Sequence, residues 1–215
     1  MVRMKTRERI LEASLALFNS AGEPNITTVD IANELNISPG NLYYHFKGKD
    51  ELVTELFARF HEQFVQILRQ PLNSRLRIED YGLYLVVVFE HIHRYRFLYR
   101  NISLIMQRYE RIQRPFRRIV QLTLDAARIV CLQLREAGVL QIAEPRVEML
   151  ARSIALTLTC WFNFDNELGT LTPGDEHLIR DGVLQVLSLI APYMGEAQHD
   201  FMAAAIAIHA GAEAA

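Results

Sequence analysis

Cysteine is nearly absent: of 215 residues only Cys131 and Cys160 carry a thiol. Both stand in apolar stretches with no CxxC pair and no histidine at metal-ligand spacing, so a disulfide framework is excluded and two buried thiols are expected. An excess of charge of one sign is also missing. Lys and Arg number 23 against 25 Asp and Glu, a formal net charge of −2, which argues against a surface coated in positive charge, the usual first sign of a nucleic-acid binder. Long hydrophobic runs are lacking too. Uncharged stretches in the C-terminal half, residues 153–164 among them, are too short to span a bilayer. The first residues mix charges into their apolar run and offer no small-residue cleavage site, so no signal peptide is read there, and a soluble cytoplasmic protein is expected. No GxSxG, HExxH, P-loop or paired-carboxylate pattern is present. His91 and His93, at i and i+2, face different sides of a helix and make no metal site. The expectation is therefore a protein that is not an enzyme and holds no metal or cofactor.

What is present is helix. Apolar residues make up 50% and charged residues 22% of the chain, enough for a sizeable core. Ile10, Ala13, Ser14, Leu17 and Phe18 form one amphipathic stripe, ended by Ala21-Gly22 with Pro24 beyond. Thr27-Thr28 offer an N-cap with Asp30 in the first turn. Ile31, Ala32 and Leu35 form the inner face of a short second helix, and Asn36 suits a left-handed turn residue. Ser38 caps a third helix with Pro39 at its first position, carrying Leu42 and Phe46 inward. A fourth helix opens at Lys49 or Asp50, keeps Leu52, Leu56, Phe60, Phe64 and Leu68 on one face, and closes at Pro71. Further helices are predicted near 76–93, 95–112, 114–138, 145–167, 174–194 and 198–210, with an Ala-rich peripheral tail over 203–215. No sustained period-2 alternation, internal repeat or low-complexity linker occurs, so the fold class is all-α.

Residues 28–46, TVDIANELNISPGNLYYHF, have the apolar spacing of a helix-turn-helix. Ile31, Ala32, Leu35, Ile37 and Leu42 must be buried for two short helices to cross, and Ala32 must be small where the second helix passes over it. Any helical hairpin buries a similar set; the flanks add specificity. RERILEASLALF, then TTVDIA, then ISPGNLYYHFKGKDELV, resembles the TetR family of bacterial one-component regulators over about residues 7–57, with Leu42, Tyr43, His45, Phe46 and Lys49 at the family's positions. Beyond, the resemblance is architectural. It implies a head over residues 1–50 that binds DNA and a helical body over 51–215 that binds an effector and dimerises.

The resemblance assigns DNA contacts to Thr28, Ser38, Gly40, Asn41, Tyr43, Tyr44, His45, Lys47 and Lys49. Thr28 and the free N–H groups beside it suit a phosphate. Gly40 permits close approach, and Asn41 offers a donor and an acceptor to bases. Tyr43, Tyr44 and His45 suit phosphates or a thymine methyl, Lys47 the backbone, and Lys49 is the family's phosphate lysine. Plainer readings stand beside these: Tyr43 and Phe46 as core aromatics, and Thr28 as a cap alone. Pro39 stands where relatives often carry Lys, Gln or Arg, so base reading falls to its neighbours and the operator sequence stays open.

In the body, 145–167 and 174–194 are apolar on more than one face and must bury two. The family pairs its last two long helices with their copies, which makes Leu156, Trp161, Leu184, Leu187 and Ile190 candidates for a homodimer interface; a larger monomer core is the alternative. Dimerisation would set two recognition helices about 34–36 Å apart, one turn of DNA. Tyr84, Phe89, Phe97, Met106, Trp161 and Phe162 could line an effector cavity or simply fill a core. Eight arginines lie between residues 91 and 118 against one acid, Glu110, either as solvated faces or, for one or two, as partners of an anionic effector. The combined expectation is a dimeric, ligand-responsive repressor on a palindromic operator. Its rivals are a DNA-binding protein without an effector and an all-α carrier or enzyme.

The balance of charge is uneven along the chain. Residues 1–50 hold six basic and six acidic side chains, but no acid lies between Leu35 and Lys49, while Arg3, Lys5, Arg7 and Arg9 lead in from the N-terminus. Residues 119–215 hold five basic against twelve acidic side chains. A net of −2 therefore averages differently charged regions, and DNA binding that weakens with salt is compatible with it.

Overall fold

The computed structural model describes residues 5–74, 80–169 and 176–195. Among them every regular element is helical and no strand occurs. The predicted helix at 198–210, the tail at 203–215, Arg3 and the ends of two other predicted helices lie outside the described residues.

Local chemistry places the first helix ends where the sequence puts them. Helix α1 (Thr6–Ala21) stops because Gly22 takes φ 82°, a conformation costly for any residue with a β-carbon, and its N–H closes on the Phe18 carbonyl at 3.1 Å. A 3-10 turn, Glu23–Asn25, leads to α2 (Thr28–Glu34). Thr27 and Asp30 form a reciprocal capping box. Asn36 turns the chain at φ 53°. Then α3 (Pro39–His45) begins with the Ser38 hydroxyl accepting from the Asn41 N–H at 3.2 Å. The remaining helices are α4 (Lys49–Asn73), α5 (Asp80–Arg94), α6 (Phe97–Arg100), α7 (Ile102–Arg108), α8 (Glu110–Glu136), α9 (Glu144–Leu168) and α10 (Glu176–Ile190).

Three expectations about helix ends change. Pro71 does not close α4, which runs two residues further; so near the end, the missing N–H forfeits a single helical bond. The helix expected from 114 is already under way from Glu110 as α8, with Pro115 inside it. The predicted helix over 95–112 is broken at Asn101 (φ −137°) and Tyr109 (φ −114°) into α6, α7 and the start of α8. Tertiary partners account for the start of α6: Asn19 Oδ1 accepts from the Phe97 N–H at 3.1 Å, and the Arg100 guanidinium donates to the Asn19 carbonyl at 2.6 Å.

The chain packs as two units, Met1–Gln63 with Tyr95–Phe116, and Phe64–Arg94 with Arg117–Ala215; α4 and α8 contribute residues to both. The first unit has a core of Ile10, Phe18, Ile31, Ala32, Leu42, Phe46 and Phe60, all fully buried. Rings knit it together: Phe18 meets Phe97 at 5.4 Å, and Phe60 meets Tyr95 and Tyr99 at 5.6 and 5.7 Å. Arg59 of α4 holds Glu8 of α1 through two hydrogen bonds, one of 2.7 Å, and Arg7 reaches Glu55 at 3.2 Å. These contacts hold the carboxyls of Glu8 and Glu55 below their ordinary range, chiefly through the hydrogen bonds from Arg59 and Arg7.

In the second unit α10 packs on α9 and α5. Its Gly182, in mid-helix where glycine costs about 1 kcal/mol relative to alanine, has a specific cause. A β-carbon there would sit 2.4 Å from the Phe89 ring of α5, so only glycine lets the two helices close on that ring. Cys131 is buried in this unit, and burial pushes its thiol up to about 12. Cys160 is exposed on α9, contrary to the expectation of two buried thiols, because it lies on the helix face that carries Leu156 and Phe164 out to solvent.

Candidate nucleic-acid interface and body cavity

The helix-turn-helix is built from its two buried anchors. Leu42, on the inner side of α3, and Phe46, four residues on at its C-cap, are inaccessible to solvent, as is Ala32 beneath them on α2. The Ile37 N–H bonds the Ala32 carbonyl at 3.0 Å and fixes the turn. With 42 and 46 turned inward, the helical period leaves Ser38, Gly40, Asn41, Tyr43, Tyr44 and Lys47 exposed, and His45 half-exposed. Tyr44 is 81% exposed, with its ring edge-on to His45 at 5.1 Å. Tyr43 is 46% exposed rather than a core aromatic, and its hydroxyl lies 3.1 Å from that of Thr28. That contact joins the outer end of α3 to the start of α2, so Thr28 does more than begin a helix. Phe46 is core, with the Arg7 guanidinium 4.6 Å from its ring centre.

Gly40 differs from Gly182. A β-carbon added there would meet nothing nearer than the Ser38 hydroxyl at 3.9 Å. Among the described residues no neighbour requires a glycine at this position.

Lys49 stands apart from the set expected at DNA. Its ammonium donates to the Glu23 carbonyl at 2.6 Å and pairs with the Glu23 carboxylate at 2.7 Å, leaving 14% of the side chain exposed. In this structure the Lys49 ammonium is engaged by Glu23 rather than free on the α3 face. Glu23, given no role by its sequence context, is the hub: it is 1% exposed, accepts from the Tyr109 hydroxyl at 2.5 Å, and has Arg108 at 3.7 Å. Burial and this carboxylate push the Tyr109 hydroxyl far above its ordinary range. The signal in the sequence was faint: one acid in the turn between α1 and Pro24.

The body residues are redistributed more thoroughly. The second unit holds a cavity of about 160 Å³ lined by aliphatic side chains, among them Leu85, Ala126, Val130, Ile154, Leu158 and Val186. Of the six residues expected to line an effector site, Tyr84 alone does so. Phe89 fills the space at Gly182, and Phe162 is fully buried beside His93. Trp161 donates its indole N–H to the Leu178 carbonyl at 2.9 Å. Phe97 and the half-buried Met106 belong to the first unit, Phe97 against Phe18. Of the five interface candidates, Leu187 and Ile190 are buried in the cavity wall, Leu184 and Trp161 are half-buried, and Leu156 is 64% exposed. Leu156 belongs to an apolar stripe of α9, interrupted by Ser153, with Met149, Phe164 and Leu168, all more than half exposed.

This architecture has close counterparts. The sequence profile described as "Bacterial regulatory proteins, tetR family" matches residues 10–56, and that of the TetR "Bacterial transcriptional repressor" matches residues 59–201. The chain belongs to the TetR family. A TetR-family transcriptional regulator from Marinobacter aquaeolei VT8 is similar at 33% identity over 94% of this chain and 97% of its own, with a TM-score of 0.80. Among curated TetR-type relatives, the probable HTH-type transcriptional regulator YttP of Bacillus subtilis is 27% identical over 110 residues, covering 48% of this chain; the match spans 53% of YttP's length. SmeT, the repressor of the Stenotrophomonas maltophilia multidrug efflux pump SmeDEF, was solved with triclosan. In that complex it shares the TetR fold at 22% identity, over 90% of this chain and 93% of its own, with a TM-score of 0.60. The chain is thus an all-α, TetR-family transcriptional regulator with a helix-turn-helix in its N-terminal region. No helix among the described residues is long and apolar enough to cross a membrane.

Proposed function

We propose that this regulator is a ligand-responsive repressor that binds a palindromic operator as a homodimer in the cytoplasm. Residues 1–50 read the DNA; residues 51–215 bind the effector and pair the two copies. The outer face of α3 carries the reading. It is exposed and lies in a stretch without an acidic side chain between Leu35 and Lys49, so a polyanion meets no opposing charge from that segment. Asn41 and Tyr44 are free to reach base edges, Thr28, Ser38, Tyr43, His45 and Lys47 serve the phosphates, and Gly40 leaves room for a close backbone approach. Lys49 acts indirectly, by fixing Glu23 beneath the start of α4.

Pairing through the α9 stripe supplies the second head, and it covers an apolar surface that water otherwise bathes. A ligand in the cavity shifts α4, which carries Leu68 on the cavity wall and Lys49 at its start. The operator is released because the ligand favours a head spacing that does not match the two half-sites. The triclosan complex of SmeT gives a fold-mate in which a small molecule is bound.

The test is a gel shift with duplex DNA flanking the protein's own gene, at low salt, with Tyr44→Ala as control. A retarded band that Tyr44→Ala weakens and added salt dissolves is expected. Absence of any retarded band with the wild-type protein overturns the proposal.

A further inference from the structure

Among the described residues, two helices contribute to both units: α4 and α8. Each reaches the wall of the body cavity, α4 with Leu68 and α8 with Thr123, Ala126, Ala127 and Val130. Each is also fastened at its start to the same side chain of the head. Lys49, the first residue of α4, donates to the carbonyl of Glu23 and pairs with its carboxylate. Tyr109, immediately before α8, donates its hydroxyl to that carboxylate at 2.5 Å. Arg108, one residue earlier, stands 3.7 Å from it. The ion pairs of Arg59 with Glu8 and Arg7 with Glu55 are part-exposed and tie α1 to α4 alone.

We infer that Glu23 is the positioning residue through which a change at the cavity wall alters the grip of α3 on DNA. The inference rests on the ligand-responsive reading above and adds the residue that carries the response. Glu23 is 1% exposed, so water does not replace a partner drawn away from its carboxylate, and the loss is not offset. A shift of either helix start therefore carries Glu23 with it or breaks a charge-assisted bond. From Glu23 the way to the reading helix is short. The 3-10 turn Glu23–Asn25 runs into the Thr27–Asp30 capping box, and Thr28 meets the Tyr43 hydroxyl of α3 at 3.1 Å. Coupling of this kind is demonstrated by energetics rather than by contiguity, which calls for a double-mutant cycle.

Ala126→Leu, which fills part of the cavity from α8, stands in for an occupant; Ala126→Val is the milder filling if leucine overpacks the core. Its effect on affinity for the duplex of the gel shift above is measured by fluorescence anisotropy in three full-length backgrounds: wild type, Glu23→Gln and Tyr109→Phe. Tyr109→Phe keeps the ring and removes one hydroxyl, so it serves even if Glu23→Gln fails to fold. In the wild type the filled cavity should weaken DNA binding about tenfold. In either other background the same substitution should change affinity by no more than about twofold. Denaturant titration of the same proteins is the control. Their effects on the unfolding equilibrium should combine to within about twofold, as for sites without shared partners. A tenfold effect that survives Glu23→Gln or Tyr109→Phe overturns the role of Glu23 and leaves ligand responsiveness standing. Non-additivity of equal size in unfolding and in DNA binding also overturns it, because that marks a general loosening. No effect of the filling on wild-type affinity, with circular dichroism showing a folded protein, defeats the ligand-responsive reading and the inference with it.

Discussion

Two glycines are kept for opposite reasons. Gly182 answers a neighbour inside the chain; at Gly40 no described residue would crowd a β-carbon. Replacing Gly40 with alanine should therefore leave thermal stability unchanged or raised by up to about 1 kcal/mol. Operator affinity should fall at least about tenfold, because the added methyl occupies the space a sugar-phosphate backbone needs. Melting curves beside fluorescence anisotropy on labelled operator check both halves. Lys49 offers a second test at this scale. Lys49→Met leaves the Glu23 carboxylate buried with weaker compensation, so unfolding free energy should drop by about 2–4 kcal/mol. If the lysine works through Glu23 and touches no phosphate, the slope of log K against log salt stays at the wild-type value; a slope reduced by about 1 shows a direct phosphate contact.

At the scale of elements, helix ends were legible wherever the decision is local. Thr27 with Asp30, Ser38 with Pro39, Gly22 and Asn36 each settle the chain within four residues, and each is where the sequence puts it. The breaks around α6 and α7 were not legible, because Asn19, some eighty positions away in sequence, takes up the Phe97 N–H and binds Arg100. The exposed side chains of α3 followed from its period once Leu42 and Phe46 were identified as anchors. The cavity did not follow from aromatic content, for a physical reason. Large flat rings such as Phe89 and Phe162 fill space, while a void persists where small side chains such as Ala126 and Ala127 fail to meet across a gap. The contact of α5 with α10 gives the prediction at this scale. Gly182→Ala forces the Phe89 ring aside and should destabilise the protein by about 1–3 kcal/mol. Phe89→Leu in the same chain should recover part of the loss, which denaturant titration of the single and double variants would show.

For the whole molecule, the near-zero net charge conceals a division of labour along the sequence. The acid-free stretch lies in the first fifty residues, and the acidic excess lies after residue 119. Affinity for DNA should accordingly depend on the presence of two heads rather than on bulk charge. Leu156→Asp with Phe164→Asp places charge on the apolar stripe of α9 and should convert the proposed dimer to monomer in sedimentation velocity, with operator affinity falling at least about a hundredfold. A sedimentation coefficient unchanged by both substitutions would locate the pairing surface elsewhere. The exposed thiol among those side chains adds something practical. Cys131 is buried, which pushes its thiol up to about 12 and slows its reaction; partial burial raises the Cys160 thiol too, but that residue is exposed on the stripe itself. Its rate of alkylation is a native clock for the covering of that face: quick when the surface is bare, slow when it is capped, and readable without engineering a label.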